Sequence, residues 1–280
     1  MTIMASSSDP PEPVSQPAQS HLDAAIHDVR RLGLDYIKSL ALIRTYADRC
    51  PGLVDKSLFF RVSDLLTQSG LAAAFLVAEG MQNPARRESR FLLEASIKLL
   101  FADQQMPTAS LDQRLLFFER RVAASGFADE LKQINFGSLE SSEVQSLIAR
   151  INHLYGKLSQ FVHATHQQLS SYLASQATGH AIGLDSAEMV TDAASDLFHA
   201  YEISLLLCLF AAGPSLAGDL LLAFEQTPWV FHAGPSIAAF DATYDYKRER
   251  QANLSTLRQV RSQRVADGWR AQYRDRDTAN

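Results

Sequence analysis

The chain has 280 residues, of which 46% are hydrophobic and 20% are charged. This is the ordinary balance of a globular protein, and it excludes a chain that is disordered throughout. Residues 247–280 carry nine Lys and Arg against four Asp and Glu, a net +5, whereas the first 246 residues carry 17 against 27, a net −10. An acidic body does not favour general nucleic-acid binding, while a basic tail either contacts phosphates or folds back onto that body.

The cellular location is predicted from three features. The two cysteines, Cys50 and Cys208, lie far apart, and Cys208 is in an apolar run, which disfavours a structural disulfide. The N-terminal residues lack the basic and apolar regions of a secretory signal. The longest apolar run, residues 203–213, is shorter than the roughly 20 residues needed to cross a bilayer. We therefore expect a soluble cytoplasmic protein without membrane contact.

The first element in chain order is a predicted disordered leader over residues 1–19, which hold four of the ten prolines. From Ser20, apolar residues recur at intervals of three and four or their sums, at Leu22, Ile26, Val29, Tyr36, Leu40, Ile43 and Tyr46. This period predicts one long amphipathic helix that Pro51 and Gly52 end.

A second helix is predicted over residues 54–68, with Gly70 interrupting it. Asn83 and Pro84 form an N-cap and a first helical residue, and so open the third helix. Ser110 is expected to cap the next helix, which ends at Gly126.

A long helix is then predicted from Ser141 or Ser142 to about Gln176. Asp185 and Glu188 resemble a capping box that opens a further helix, which Gly213 ends. No run alternates apolar and polar residues as a strand does. The expected fold is all-α, a bundle of about seven to nine helices over residues 20–246, followed by a basic helical tail over residues 247–280.

The helix predicted over residues 141–176 carries a polar edge. Its core stripe consists of residues that share one helix face, namely Val144, Leu147, Ile151, Leu154, Leu158, Phe161, Val162 and Thr165. Beside this stripe, Tyr155, Ser159 and His163 are spaced by four and are neighbours on successive turns, with Asn152 and His166 adjacent. The edge is either an ordinary amphipathic boundary or part of a site, and Arg150 and His153 lie on the other side of the helix.

The third helix is apolar almost all round, which is typical of a buried helix. Nevertheless, Arg87, Arg90, Glu94 and Lys98 share one sector about 80° wide. Glu94 is four residues from both Arg90 and Lys98, so the group is either a surface ion-pair network or a set of charges that faces the polar edge.

Two segments, RRESRFLLEASIKLLF and YGKLSQFVHATH, resemble a group of bacterial all-helical proteins without a characterised function. In that group an R-x-x-x-E helix precedes a Y-x-x-L-S-x-x-V-H helix, and the group is similar to the HEPN (higher eukaryotes and prokaryotes nucleotide-binding) bundles of toxin–antitoxin and phage-defence systems. The resemblance covers residues 83–176, about a third of the chain. It implies that Arg90, Glu94, Tyr155, Ser159 and His163 are the site residues.

One departure concerns catalysis. Catalytic HEPN ribonucleases are expected to carry an arginine, four to six further residues and a histidine on one helix. Here Arg150 precedes His153 by three, and only Lys157 stands six before His163. A lysine copies the phosphate-directed charge of an arginine imperfectly.

Three functions therefore remain. The resemblance implies that nucleotide or RNA binds, without hydrolysis, to a site made of Arg90, Glu94, Lys98, Tyr155, Ser159 and His163. The first alternative is a non-enzymatic interaction or dimerisation module, in which the polar residues fix helix register. The second alternative is a metal-independent ribonuclease that uses His163.

Other chemistries are disfavoured. His163 and His166 form an H-x-x-H pair, but there is no HExxH motif and Glu94 would have to supply a carboxylate, so we predict no metal. Ser159 and His163 lack the strained turn and the oxyanion donors of an acyl-transfer site. No phosphate-binding or dinucleotide-binding glycine loop occurs, so we predict no cofactor.

The basic tail places Arg258, Arg261 and Arg264 three residues apart. It is either a peripheral helix that docks through Leu257 and Trp269 or an arm that binds RNA phosphates or a protein partner.

Overall fold

The structure is a computed structural model that describes residues 16–123, 126–162, 166–177, 186–225 and 227–279. Within these ranges it contains fifteen α-helices, one π-helical turn, one 3₁₀ turn and no strand. The predicted all-α class is confirmed, with 83% of the described residues helical. The predicted number of seven to nine helices is wrong, because the chain is interrupted at short turns that periodicity does not reveal.

Four long helices form the core. They are α1 (Gln16–Asp48), α4 (Ser63–Ala78), α5 (Gln82–Gln105) and α10 (Ala187–Ala212), and they pack against one another. Tyr36 of α1 stacks on Tyr201 of α10 with ring centroids 4.1 Å apart. The Ser204 hydroxyl lies 3.0 Å from the Tyr36 hydroxyl and 2.9 Å from the Ser96 hydroxyl of α5, so the polar atoms of this apolar centre are paired.

Among the described helices, α10 alone has the length and apolar composition of a membrane span, and 83% of its most apolar window is buried inside the bundle. A core helix of a globular protein passes the same test, so this is weak evidence for a membrane. The cytoplasmic location remains a prediction.

Two predicted boundaries near the N-terminus are wrong. Helix α1 begins at Gln16, within the segment that we expected to be disordered, while residues 1–15 lie outside the described ranges. Gly70 does not interrupt a helix but lies inside α4, where a Cβ atom would come within 2.4 Å of the Tyr36 ring. This glycine allows a close helix contact, and the Tyr201 hydroxyl donates to its carbonyl at 2.5 Å.

The breaks occur earlier instead, between α2 (Leu53–Lys56), α3 (Leu58–Arg61) and α4. At the first break the Ser57 hydroxyl caps α3 by accepting from the amide of Phe60 at 3.2 Å.

The segment between α5 and α10 contains four helices and a π-helical turn. They are α6 (Leu111–Phe117), the π-helical turn Phe118–Val122, α7 (Phe127–Gln133), α8 (Ser141–Ser159) and α9 (His166–Ala177). The predicted Ser110 cap is confirmed with a full capping box. The single long helix predicted over 141–176 is wrong, because α8 ends at Ser159 and a turn follows, in which the carbonyl of Phe161 accepts from Arg87 Nε.

Two other helices begin at a residue different from the one that the sequence predicts. Helix α5 begins at Gln82, so Pro84 lies in its first turn, where a missing N–H costs nothing. Ser186 caps α10 by accepting from Met189 N at 3.2 Å, while Asp185 lies outside the described residues. Of the predicted core stripe, Leu147, Ile151, Leu154 and Leu158 are buried on α8 and Phe161 is buried just after its end, whereas Val144 and Val162 are half-buried.

The C-terminal part folds back onto the bundle. It comprises α11 (Pro214–Glu225), the 3₁₀ turn Val230–Ala233, α12 (Pro235–Ala242), α13 (Arg248–Gln251), α14 (Leu254–Asp267) and α15 (Trp269–Ala279). Trp269 is 8% exposed and stacks on Phe198 of α10 at 5.7 Å, so it docks as the peripheral-helix interpretation expects. Helix α14 has no buried residue and is held by charges.

Candidate functional site: the polar centre between α5 and α8

Arg90 joins the two helices that the sequence singles out. Its Nε donates to Ser159 Oγ at 3.0 Å, and its Nη2 donates to the Tyr155 hydroxyl at 2.6 Å. Its Nη2 also lies 3.4 Å from Glu94 Oε2, one turn further along α5. The structure thus brings the polar edge of α8 onto the charged sector of α5. We call Arg87, Arg90, Glu94, Lys98, Tyr155 and Ser159 the polar centre.

Glu94 is the carboxylate of the polar centre. Its Oε1 lies 3.0 Å from Lys98 Nζ, and its Oε2 accepts a long hydrogen bond of 3.5 Å from the Tyr155 hydroxyl. Tyr155 therefore accepts from Arg90 and donates to Glu94. Such a closed network fixes the side chains in one arrangement.

The polar centre is partly buried, and Arg87 is its exposed cation. The side chains of Arg90 and Glu94 are 25% and 27% exposed, and that of Lys98 is 10% exposed. Its three cations and one carboxylate give a formal charge of +2. A partly desolvated excess of positive charge attracts anions more strongly than the same charge in open solvent.

Backbone contacts fix the remaining two cations. Arg87 Nε donates to the carbonyl of Phe161 at 2.7 Å, where the chain leaves α8, and Lys98 Nζ donates to that of Ala123 at 3.4 Å. The Tyr155 ring stacks on Phe127 of α7 with centroids 3.7 Å apart, so this ring face is not free to stack on a base.

The structure does not place every predicted residue. His163, together with Ala164 and Thr165, lies outside the described residues. His166 is exposed on α9, with Nδ1 3.4 Å from Ser170 Oγ. No group of three His, Cys, Asp or Glu side chains able to hold a metal occurs in the described ranges.

A second polar cluster was not predicted. Glu202 of α10 is completely buried and accepts from Arg150 Nη2 at 3.0 Å and from the amide of Ser236 at 2.6 Å. Arg150 also donates from Nη1 to Ser236 Oγ at 2.5 Å, and His199 Nδ1 lies 3.3 Å from Glu202. In the sequence Glu202 lies within an apolar stretch. His199 is three residues away, but Ser236 and Arg150 are 34 and 52 residues away, so local sequence does not reveal the cluster.

The surroundings of Glu202 keep it ionised. Burial alone would raise its pKa, but the hydrogen bond from His199, the charge of Arg150 and the Ser236 amide together lower the pKa below its usual value. The buried carboxylate of Glu202 thus lies at the N-terminus of α12 and accepts from the amides of Ser236 and Ile237, which have no partner within the helix.

The tail arginines face acceptors of the body. Arg258 Nε donates to Asp245 at 2.9 Å, and Arg261 Nε donates to Asp241 at 2.8 Å. Arg264 Nη1 lies 3.3 Å from His232 Nδ1. Burial, and then the charges of Arg264 and the neighbouring arginines, lower the pKa of His232 to about 3. The basic tail thus folds back onto the body.

The chain matches none of the protein-family models, curated proteins or solved structures with which it was compared. The HEPN-like relationship therefore remains a hypothesis that rests on the two short sequence segments.

Proposed function

We propose that the polar centre binds a phosphate group of a nucleotide or of RNA, without hydrolysing it. Arg90 supports this proposal most directly. A guanidinium suits phosphate recognition because it is always charged and donates strong hydrogen bonds. Since Nε and Nη2 of Arg90 contact Ser159, Tyr155 and Glu94, Nη1 would bind the phosphate. The guanidinium of Arg90 is oriented by Ser159, Tyr155 and Glu94 and is one quarter exposed, so little further ordering is needed when an anion binds.

The charge balance also supports an anionic ligand. Arg87 and Lys98 flank Arg90 on α5, and Glu94 is the one acid among the six residues of the polar centre. The rest of the body is acidic and repels anions, so an anionic ligand is attracted to the positively charged polar centre in preference to other surfaces of the body.

Binding of a fluorescently labelled single-stranded RNA, followed by anisotropy, tests the proposal. We expect Arg90→Ala to weaken binding about tenfold or more, because a hydrogen-bonded ionic contact to phosphate is lost. Arg90→Lys should restore part of the affinity, since it keeps the charge but not the planar guanidinium that Ser159 and Tyr155 orient.

Arg30→Ala is the matched control, because Arg30 is a 65% exposed arginine that pairs only with Glu79 in the described structure. Equal affinity of Arg90→Ala and Arg30→Ala for the RNA would contradict the proposal. A mononucleotide competitor in the same assay separates recognition of a single phosphate from recognition of a strand.

A second candidate function is the non-enzymatic interaction module. Apolar side chains that are 42% to 64% exposed occur on two helices, Leu65, Leu71 and Phe75 on α4 and Leu169, Tyr172 and Leu173 on α9. Exposed apolar groups of this kind favour protein contacts. Light scattering of the wild type and of Phe75→Ser and Leu173→Ser tests this candidate, which predicts that the substitutions shift an oligomer towards monomer.

A further inference from the structure

A cavity of about 580 Å³ lies at the carboxyl-terminal end of α5, beyond the residues that this helix contributes to the polar centre. Asp103, which lines it, is thirteen residues from Arg90, or roughly 20 Å along the helix. Its apolar wall includes Leu53, Leu100 and Phe210. All of its lining residues belong to the described ranges. The volume is within the range of small-molecule sites.

Asp103 does not need a ligand. Its carboxylate accepts from Ser57 Oγ at 2.6 Å, from the amides of Leu58 and Phe59 at 2.8 and 3.0 Å, and from Arg114 Nη1 at 2.5 Å. Four donors satisfy a carboxylate, so this acid fixes the wall of the cavity and does not attract a cation.

Arg114, by contrast, has donor capacity left. The residue is 5% exposed, and its Nη2 donates to the carbonyl of Pro107 at 3.0 Å. Its Nε is buried and has no hydrogen-bond acceptor among the described residues. A buried donor without an acceptor is costly, and such groups in folded proteins call for a partner.

Lys56 adds a second cation at the rim. It is exposed, and its ammonium group makes no ion pair with any described residue. Lys56, Arg114 and Asp103 are the charged residues of the lining and give it a formal charge of +1.

We propose that this cavity binds a small organic monoanion, a carboxylate attached to an apolar group. The carboxylate would lie between Lys56 and Arg114, because guanidinium and ammonium groups donate strong hydrogen bonds to carboxylate oxygens. The apolar group would lie against Leu100 and Phe210, where burial removes it from water. A single positive charge matches one carboxylate better than a doubly charged phosphate monoester.

Calorimetric titration of the full chain with benzoate tests the proposal, with the uncharged isostere benzamide as the matched ligand. The expected result is measurable binding of benzoate and at least about tenfold weaker binding of benzamide. Lys56→Met should weaken benzoate binding, whereas Lys38→Met, which removes an exposed lysine of α1 outside the lining, should not. Ala211→Phe, which fills the cavity from α10, should abolish binding.

Three results would overturn the proposal. They are benzoate binding weaker than about 10 mM, equal binding of benzoate and benzamide, and equal effects of Lys56→Met and Lys38→Met. Tighter binding of phenyl phosphate than of benzoate would overturn the assignment to a carboxylate. Because none of these variants touches the polar centre, the outcome is independent of RNA binding.

Discussion

Replacing the buried Glu202 by glutamine should destabilise the fold by several kcal/mol without changing its shape. The carboxylate accepts from Arg150 and from the first amides of α12, and it is 0% exposed. Removing one partner of a buried ion pair costs about 3 to 5 kcal/mol. The Arg150 side chain is 29% exposed, so water solvates part of its unpaired charge in the variant. We therefore expect the free energy of unfolding to fall by about 2 to 4 kcal/mol.

Urea unfolding followed by circular dichroism measures this loss, with Glu79→Gln as the matched control. Glu79 is 43% exposed and pairs with Arg30 on the surface, so its substitution should change the free energy of unfolding by less than about 0.5 kcal/mol. The folded-state pKa of Glu202 is lowered, so its contribution is present above its usual pKa of 4.5 and is lost as the pH falls through the folded value. If Glu202→Gln were as mild as Glu79→Gln at pH 7, our assignment of a stabilising buried charge would be wrong.

Three further predictions concern stability. The pKa of His232 is lowered to about 3, so the unfolded chain takes up a proton at higher pH than the folded chain, and the free energy of unfolding should fall as the pH drops from about 6.5 towards 3. In urea unfolding at several pH values, His232→Gln should reduce this pH dependence. An unchanged pH dependence would contradict the burial of a neutral imidazole. Gly70→Ala should destabilise by about 1 to 3 kcal/mol through overlap with Tyr36, although alanine is the better helix former; a rise in melting temperature would refute the close contact. Leu158→Ala should cost about 2 to 5 kcal/mol in urea unfolding because the residue is fully buried, and a loss below about 1 kcal/mol would place Leu158 outside the core.

Much of the polar centre was predictable because its residues follow helical periodicity. Arg90, Glu94 and Lys98 are spaced by four on one helix, and Tyr155 and Ser159 are spaced by four on another, so each set had to share a face. That the two faces meet was a hypothesis in the sequence, and the hydrogen bond from Arg90 to Tyr155 confirms it. Periodicity also identified the buried stripe of α8.

The remaining features depend on contacts between residues that are distant in the sequence. Glu202 looks like a lone charge in an apolar helix until Arg150 and Ser236 are brought to it by packing. Gly70 was interpreted as a helix breaker, whereas its role is to admit the ring of Tyr36. No proline or glycine follows Ser159 to mark the end of α8, and Gly156 lies inside the helix.

Photo-crosslinking of a 4-thiouridine-labelled single-stranded RNA, with the attached peptides identified by mass spectrometry, tests the central claim most directly. We predict crosslinks in the peptides that contain residues 87–98 and 155–159, and their loss in Arg90→Ala but not in Arg30→Ala. Crosslinks that map only to the tail, or a pattern that Arg90→Ala leaves unchanged, would contradict the claim that the polar centre holds the phosphate.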